Sequence, residues 1–410
     1  MSKRRVVVTG MGLISPCGKT VGESWDNIKN GNSGIDLIKA FDVSEYRSQM
    51  GGEVKDFDPT DYIDKKQSKR MDRFSQFGIA ASRELMEDAG LEGIDPERVA
   101  TIIGSGIGGI QTFEEQHARL MKRGPGKISP FFIPMMISDM VAGLISIEYG
   151  FKGPNFTTVS ACASGGHAIS AAFMSIRNGY CDAAVTGGAE ATISPMALGG
   201  FCSMKALSTR NDDPVAASRP FDRDRDGFVM SEGSGLIFLE ELEHARKRGA
   251  GIHAELIGTG MTADAYHMTS PVPGGEGAAR AMRMALADAG LSPDDIDYIN
   301  AHGTSTPYND PAESQAIRDV FGEDSRVLVS STKSTTGHLL GAAAGLEAVA
   351  SVMAIKEGIV PPTVNLENVD EECRLNHVTE AREEDLGPVV SNSFGFGGHN
   401  VSLVFTHFTG

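Results

Sequence analysis

The chain repeats its own pattern, and the repeat limits what it can fold into. "SRELMEDAGL" (82–91) and "MRMALADAGL" (282–291) both carry apolar residues at helical spacing and end on a glycine suited to a helix cap. Each is followed by a turn bearing Pro and Asp and then a short apolar strand, "VATIIGSG" in one case and "IDYINAHG" in the other. Upstream, "VVVTGMG" (6–12) has its counterpart in "LIGTGM" (256–261). Downstream, "TTVSACASGGHAISAAF" parallels "VLVSSTKSTTGHLLGAAAG": a β-branched run meets Val-Ser, then a small-residue turn, then a helix of Ala and Gly. A helix apolar nearly all round belongs inside a core. Strands alternating with helices predict an α/β protein of mixed layers. The expectation is a duplicated domain with a pseudo-twofold, its halves spanning roughly 1–250 and 251–410, and a site at their seam.

Within the first half, "TTVSACASGG" (157–166) sets a cysteine among Ala, Ser and Gly, where a structural cysteine would pack against Leu, Ile or Phe. A strand ("FTTVS") runs into a small-residue turn and a helix beginning near Gly165. Cys162 then lies at a helix N-terminus, whose unpaired N–H groups and dipole favour the thiolate. Its own backbone N–H becomes a candidate oxyanion donor, by the mechanics of a nucleophile elbow. Of ten histidines, two occupy second-half loops that mirror those of the first. His302 follows a strand in "NAHGTST", and His338 in "KSTTGH" opens the helix expected to match the one after Cys162. Lys333 is expected in the turn equivalent to the cysteine turn, and Glu347, one helix further on, is positioned to pair with His338. Finally, "SNSFGFGGHN" (391–400) combines three glycines with Phe394 and Phe396. Such a loop lets backbone approach a ligand while its rings supply apolar cover.

Other chemistries fit less well. "GSGIGG" (104–109) matches a dinucleotide fingerprint, but the region about 20 residues on is "KRGPGKISP", without the acidic residue that would hold a ribose. Cys162, His302 and His338 could be read as zinc ligands, yet nothing in the sequence suggests a metal-activated water. Five widely spaced cysteines and no C-x-x-C argue against a disulfide framework. A formal net charge of −17 disfavours nucleic acid as a partner. No apolar run has the length of a membrane span, and the N-terminal apolar run, short and broken by glycines, reads as a first strand rather than a signal peptide. A cytoplasmic location is expected. Against the acidic background, "KKQSKRMDR" (65–73) stands out, with Lys65, Lys66, Lys69, Arg70 and Arg73. It reads either as a solvated helix face or as a docking patch for an acidic partner.

With these residues in view, the chain resembles the β-ketoacyl-[acyl-carrier-protein] synthases from end to end. The motifs that carry the resemblance are "VSACASGGHA", "SRPFDRDRDGFVMSEG", "NAHGTSTPYND", "KSTTGH" and "FGFGG". "FCSMKALSTRN" and Ile107 point to the type II elongating enzymes of the thiolase superfamily. The resemblance implies a layered α-β-α-β-α thiolase fold, a homodimer, no cofactor or metal, and an acyl carrier protein as partner. It implies decarboxylative condensation of an acyl group with a malonyl carrier in fatty acid elongation. The same fold also serves type I and polyketide ketosynthases and chain-length partners without a nucleophile. The nucleophile maps onto Cys162, the catalytic histidines onto His302 and His338, the supporting lysine onto Lys333 and the gating phenylalanine onto Phe396. The N–H groups of Cys162 and Phe396 would form the oxyanion hole. Substrate-binding positions map onto Ile107, Thr269, Ser270, Thr304, Thr306 and Phe394, and carrier docking onto Lys65, Lys69, Lys127 and Lys205. His399 stands where many members have Thr, and "PYND" carries residues larger than usual for the family.

Overall fold

A computed structural model describes residues 4–410. Ten strands form its central sheet. The first five are β1 (Val6–Ile14), β2 (Val99–Gly104), β3 (Asn155–Thr158), β4 (Ala183–Glu190) and β5 (Gly233–Glu241). The second five are β6 (Ala254–Ala263), β7 (Tyr298–Asn300), β8 (Leu328–Ser330), β9 (Val389–Gly395) and β10 (His399–Thr406). Their spatial order is β3-β2-β4-β5-β1-β6-β10-β9-β7-β8. Outward from the antiparallel β1–β6 junction, each wing runs antiparallel, antiparallel, parallel, parallel. Each wing also takes its strands in the same chain order: first, fifth, fourth, second, third. The repeat in the sequence is thus a repeat in topology, carried by one continuous sheet.

The repeated glycines explain how the outer helices dock. Helix α1 (Arg73–Ala89) ends at Gly90 and helix α3 (Glu276–Ala289) at Gly290, both with positive φ. Gly12 on β1 lies against the Ala81 carbonyl of α1, and Gly260 on β6 against the Ala281 carbonyl of α3; a Cβ at either position would collide with that oxygen. Gly10 and Gly258 repeat the approach one turn further along, at Leu85 and Ala285. A strand that must sit directly on a helix backbone needs glycine there, and both wings use the same pair of positions.

The other sheet face holds helices α2 (Ser164–Arg177) and α5 (Ala343–Glu357), while α4 (Asn309–Phe321) packs beside α3. Every residue of α5 from Ala343 to Ile355 is buried, as its all-round apolar sequence requires. It packs on β4 and β5 of one wing and on β9 of the other, and a single apolar core joins α2, α5 and strands of both wings. The result is the layered α-β-α-β-α thiolase arrangement. One expected equivalence shifts. The counterpart of the cysteine turn is the 3₁₀ turn Leu340–Ala342, not the segment at Lys333. Ala161 and Leu340 open the two turns at φ 51° and 49°, and each turn leads into α2 or α5. Lys333–Thr336 is a separate helical turn, part of the longer second-half link between β8 and its elbow.

Candidate active site

Cys162 sits in the 3₁₀ turn Ala161–Ala163 between β3 and α2. Ala161 holds a left-handed φ of 51°, a conformation that disfavours a side chain and marks a stored constraint. The sharp turn presents the sulfur while the backbone N–H groups of Phe396 and of Cys162 itself face it. Those two groups come together because β9 ends against the elbow: a Cβ on Gly395 would lie 3.1 Å from the nitrogens of Cys162 and Ala163. Only glycine allows this approach. The "FGFGG" segment is the tip of the β9–β10 hairpin, closed by the pair Gly395 and His399. The sequence-based expectation of a resting thiolate is corrected here. Burial pushes the thiol up to about 12, although Lys333 and the two N–H groups act in the opposite direction.

His302 and His338 join the cysteine. One ligand atom from each of the three residues lies within 4.8 Å of the others. The two imidazoles meet edge to face with centroids 5.3 Å apart. Phe228 packs on His338 and Phe394 on His302. Burial holds both rings well below the ordinary histidine range, with Lys333 adding to the effect, so both are neutral. The backbone of His338 is clamped between Val229 and Ser231. That of His302, with Gly303, donates to the buried carboxylate of Glu313 at 2.7 Å each.

Lys333 corrects one expectation: Glu347 pairs with Lys333 and not with His338. Lys333 itself lies 3.3 Å from Nδ1 of His302. An ammonium has no lone pair, so it donates to Nδ1 and the ring proton of His302 resides on Nε2. Both ring nitrogens of His338 are buried without a protein partner. His338 also lines the site's cavity, where a bound molecule can meet those nitrogens.

The three residues line a cavity of about 540 Å³. Ile107, Thr269, Ser270, Thr304, Thr306, Phe394 and Phe396 line the same cavity, as does Lys205. Ser305, at φ 68°, turns Thr304 and Thr306 to one side, where their hydroxyls lie 3.0 Å apart. Asp310 accepts from the N–H groups of Thr304 and Ser305 and fixes that turn. The sequence reading missed Phe201, Met204 and Phe228, which supply much of the apolar wall. It also missed Asp264 and Asn400, joined by a 2.6 Å hydrogen bond at the cavity edge.

The glycine-rich segment 104–109 has an internal explanation. The carboxylate of Glu190 accepts from the N–H groups of Gly106, Ile107 and Gly108, from that of Gly341, and from the Ser105 hydroxyl. The loop wraps a protein anion where a dinucleotide site would wrap a phosphate. A glutamate ending the small-residue strand "AAVTGGAE" was the available signal.

Among the expected docking residues, Lys65, Lys69, Lys127 and Lys205 are all exposed. Arg70 stacks on Phe131 at 4.6 Å, which brings the 65–70 turn beside the segment that carries Lys127. Arg73 leaves the patch: it turns inward to a bidentate pair with the buried Glu232.

Comparison with known proteins agrees with this geometry. The model of the beta-ketoacyl synthase N-terminal domain matches residues 3–245, and that of the C-terminal domain residues 253–367. The chain is 53% identical to a 3-oxoacyl-[acyl-carrier-protein] synthase 2 of Synechocystis, covering 100% of this chain and 99% of the relative. It is 51% identical to the Staphylococcus aureus protein of the same name, over 99% of each. A beta-ketoacyl synthase structure from Burkholderia phymatum superposes with a TM-score of 0.92 at 38% identity, over 99% of this chain and 100% of that one. A type II polyketide ketosynthase, solved in complex with its acyl-carrier protein, gives 0.93 at 34% identity over 100% of both chains. A duplicated sheet, a cysteine elbow facing two neutral histidines, and matches along both halves together establish that this chain belongs to the beta-ketoacyl synthase family.

Proposed function

We propose that the protein elongates acyl chains by decarboxylative condensation, with an acyl group held on Cys162 and a malonyl group delivered by an acyl carrier protein. The observation that carries this reading is the convergence, at one cavity, of the Cys162 sulfur, two backbone N–H groups and two neutral imidazoles. In the first step Sγ attacks the carrier thioester. Its proton passes to His338, whose ring nitrogens are open, and on to the departing carrier sulfur. The oxyanion is held by the N–H groups of Cys162 and Phe396. In the second step the malonyl C–C bond breaks, CO₂ leaves, and its electron pair moves into the thioester as an enolate. The Nε2–H of His302 and an N–H of His338 stabilise that oxygen; one such donor typically contributes about 10²–10³ in rate. The carbanion then attacks the acyl carbonyl on Cys162, forms the new C–C bond and expels the sulfur, which regains a proton from solvent. Decarboxylation itself supplies the carbanion, so no step calls on a cofactor.

The spacing of Cys162, His302 and His338 would also suit three ligands of a metal ion. The tautomer opposes that reading. Metal-ligating histidines usually hand their outer N–H to an acceptor, whereas the outer nitrogen of His302 receives a hydrogen bond from Lys333. Its Nε2 therefore offers a proton to an oxyanion, not a lone pair to a cation.

Identity of 50–53% to proteins named 3-oxoacyl-[acyl-carrier-protein] synthase 2, against 34% to the polyketide ketosynthase, supports fatty acid elongation. In this reading residues 1–250 supply the nucleophile and 251–410 the histidines, within one sheet. Lys65, Lys69, Lys127 and Lys205 meet the carrier, and Thr304 and Thr306 hold its prosthetic arm. The edge strand β3 pairs with a second copy to make a homodimer. Exposed Phe156 and Val159 on and beside that edge support the dimer. Among the described residues no helix is long and apolar enough to cross a membrane; the reading takes the protein as cytoplasmic.

Mass spectrometry after mixing with acyl-carrier protein tests the mechanism. The wild type is expected to gain an acyl group on Cys162, and Cys162→Ala none. His302→Ala is expected to accept the acyl group at the wild-type rate and His338→Ala, which lacks the proposed base, to accept it more slowly; both are expected to lose at least about a hundredfold in CO₂ release from the malonyl carrier. An unmodified wild-type cysteine, or normal decarboxylation in both histidine variants, overturns the assignment.

A further inference from the structure

Two more imidazoles, unused in the mechanism above, lie between the segments that supply the N–H groups facing Sγ. His167, on the first turn of α2, has Nδ1 2.6 Å from the hydroxyl of Ser160, two residues before Cys162. The same ring hydrogen bonds to the backbone of Asn400 on β10. One side chain therefore ties the cysteine elbow to the strand that leaves the Phe396 turn. Burial, reinforced by His399, holds His167 down to about 4, so its neutral ring keeps accepting from Ser160.

His399 closes the three-residue turn Phe396–Gly398. Its ring meets that of His167 edge-on, with centroids 6.2 Å apart and planes at 86°. Its other contact is with the turn itself: a Cβ on Gly397 would lie 2.7 Å from His399 Nε2. Gly397 follows Phe396 directly, and Gly395 before it rests on the backbone of the elbow. The Phe396 N–H is thus flanked by one glycine packed on the elbow and another packed on His399.

We propose that His167 and His399 form a two-ring clamp that positions the Phe396 N–H relative to the Cys162 N–H and so sets the geometry of the oxyanion hole; the inference rests on the role given to those donors above. Donors of this kind act only when held about 2.7–3.1 Å from the developing oxyanion. Two positive-φ glycines leave the turn with little stiffness of its own, and backbone hydrogen bonds from Gly397 to Met268 and from Asp264 to Gly398 pin its far side. On the side that faces the elbow, the hydrogen bonds of His167 tie Ser160 to Asn400, and the bulk of His399 packs on Gly397. Neither ring lines the cavity, so both act through the backbone that they brace.

The test separates the two half-reactions in His399→Ala and His399→Phe enzyme. Acyl transfer to Cys162 uses the braced donors, whereas CO₂ release from the malonyl carrier uses His302 and His338. His399→Ala is expected to slow acyl transfer about tenfold while CO₂ release stays within twofold of the wild type. His399→Phe, which keeps a ring of similar shape, is expected to recover most of the loss. Unchanged acyl transfer in His399→Ala, equal loss in both half-reactions, or no recovery by Phe overturns the clamp. A wild-type enzyme that never forms the adduct overturns the underlying reading instead.

Discussion

At the scale of single residues, burial decides the chemistry of the cysteine. A helix N-terminus, two N–H groups and Lys333 all favour a thiolate, but the closed surroundings oppose it more strongly, and the thiol is pushed up to about 12. The resting nucleophile is therefore protonated and needs a base at the moment of attack. The sign follows directly. Far below a pKa, each unit of pH multiplies the thiolate fraction about tenfold. Alkylation of Cys162 by iodoacetamide is expected to climb steadily from pH 7 to pH 10. A plateau reached below pH 8 would establish a preformed thiolate and return the elbow to its sequence-based reading. The same dry site keeps His302 and His338 neutral, and the Lys333–Glu347 pair leaves the Nε2 proton of His302 free for substrate. The three side chains proposed to carry the chemistry were legible as types in the sequence. Their protonation states were not, because desolvation depends on everything packed around them.

At the scale of elements, two elbows meet back to back. A Cβ on Gly341, the second-half counterpart of Cys162, would collide with the Gly106 nitrogen and the Glu190 carboxylate. The second half gave up a side chain there so that the loop carrying Ile107 could sit against it. Glu190 is the centre of that contact, and burial raises its carboxyl even as four backbone N–H groups and one hydroxyl hold the ionised form. Removing it leaves four N–H groups without their acceptor, those of Gly108 and Gly341 in buried surroundings. Glu190→Ala is expected to lose at least about 3 kcal/mol of stability, read as a fall in the urea midpoint at constant slope. A loss under about 1 kcal/mol would mean that water replaces the carboxylate and that the loop does not depend on it. The strand and helix repeats were visible in the sequence because caps, periodicity and glycines are local signals. The offset between Lys333 and the second elbow was hidden, since Val-Ser precedes both the cysteine turn and the Lys333 segment, and only the backbone shows that the second half turns later, at Leu340.

At the scale of the whole molecule, charge and edges control partners. A chain at −17 repels any acidic partner unless it presents a local basic face. Lys65 and Lys69 are exposed beside the Lys127 segment, with Lys205 at the cavity mouth. Reversing both charges, Lys65→Glu with Lys69→Glu, is expected to raise the KM for carrier protein at least fivefold and flatten its salt dependence, with kcat nearly intact. An unchanged KM assigns those lysines to a solvated face. The free edge of β3 leads to a second expectation. Val159 beside it is 61% exposed and Ile147 on the preceding helix 76%, and unpaired strand edges invite pairing. Sedimentation is expected to give twice the mass of the single chain, and a monomer at micromolar concentration would leave that edge without its partner.

The sequence by itself determined the duplication, the elbow, the cysteine and two histidines proposed to react, and part of their cavity lining, but not Phe201, Met204, Phe228, Asp264 or Asn400. What it determined resides in contiguous stretches whose period, caps and small residues act locally. Tertiary structure alone decided which groups face one another: Lys333 with His302, 31 residues apart, Arg73 with Glu232, 159 apart, and Glu190 with Gly341, 151 apart. It also decided that the thiol stays protonated. Pairing at such separations is set by how the two wings of the sheet close on α2 and α5, and the cost of a charge is set by how little water that closure leaves.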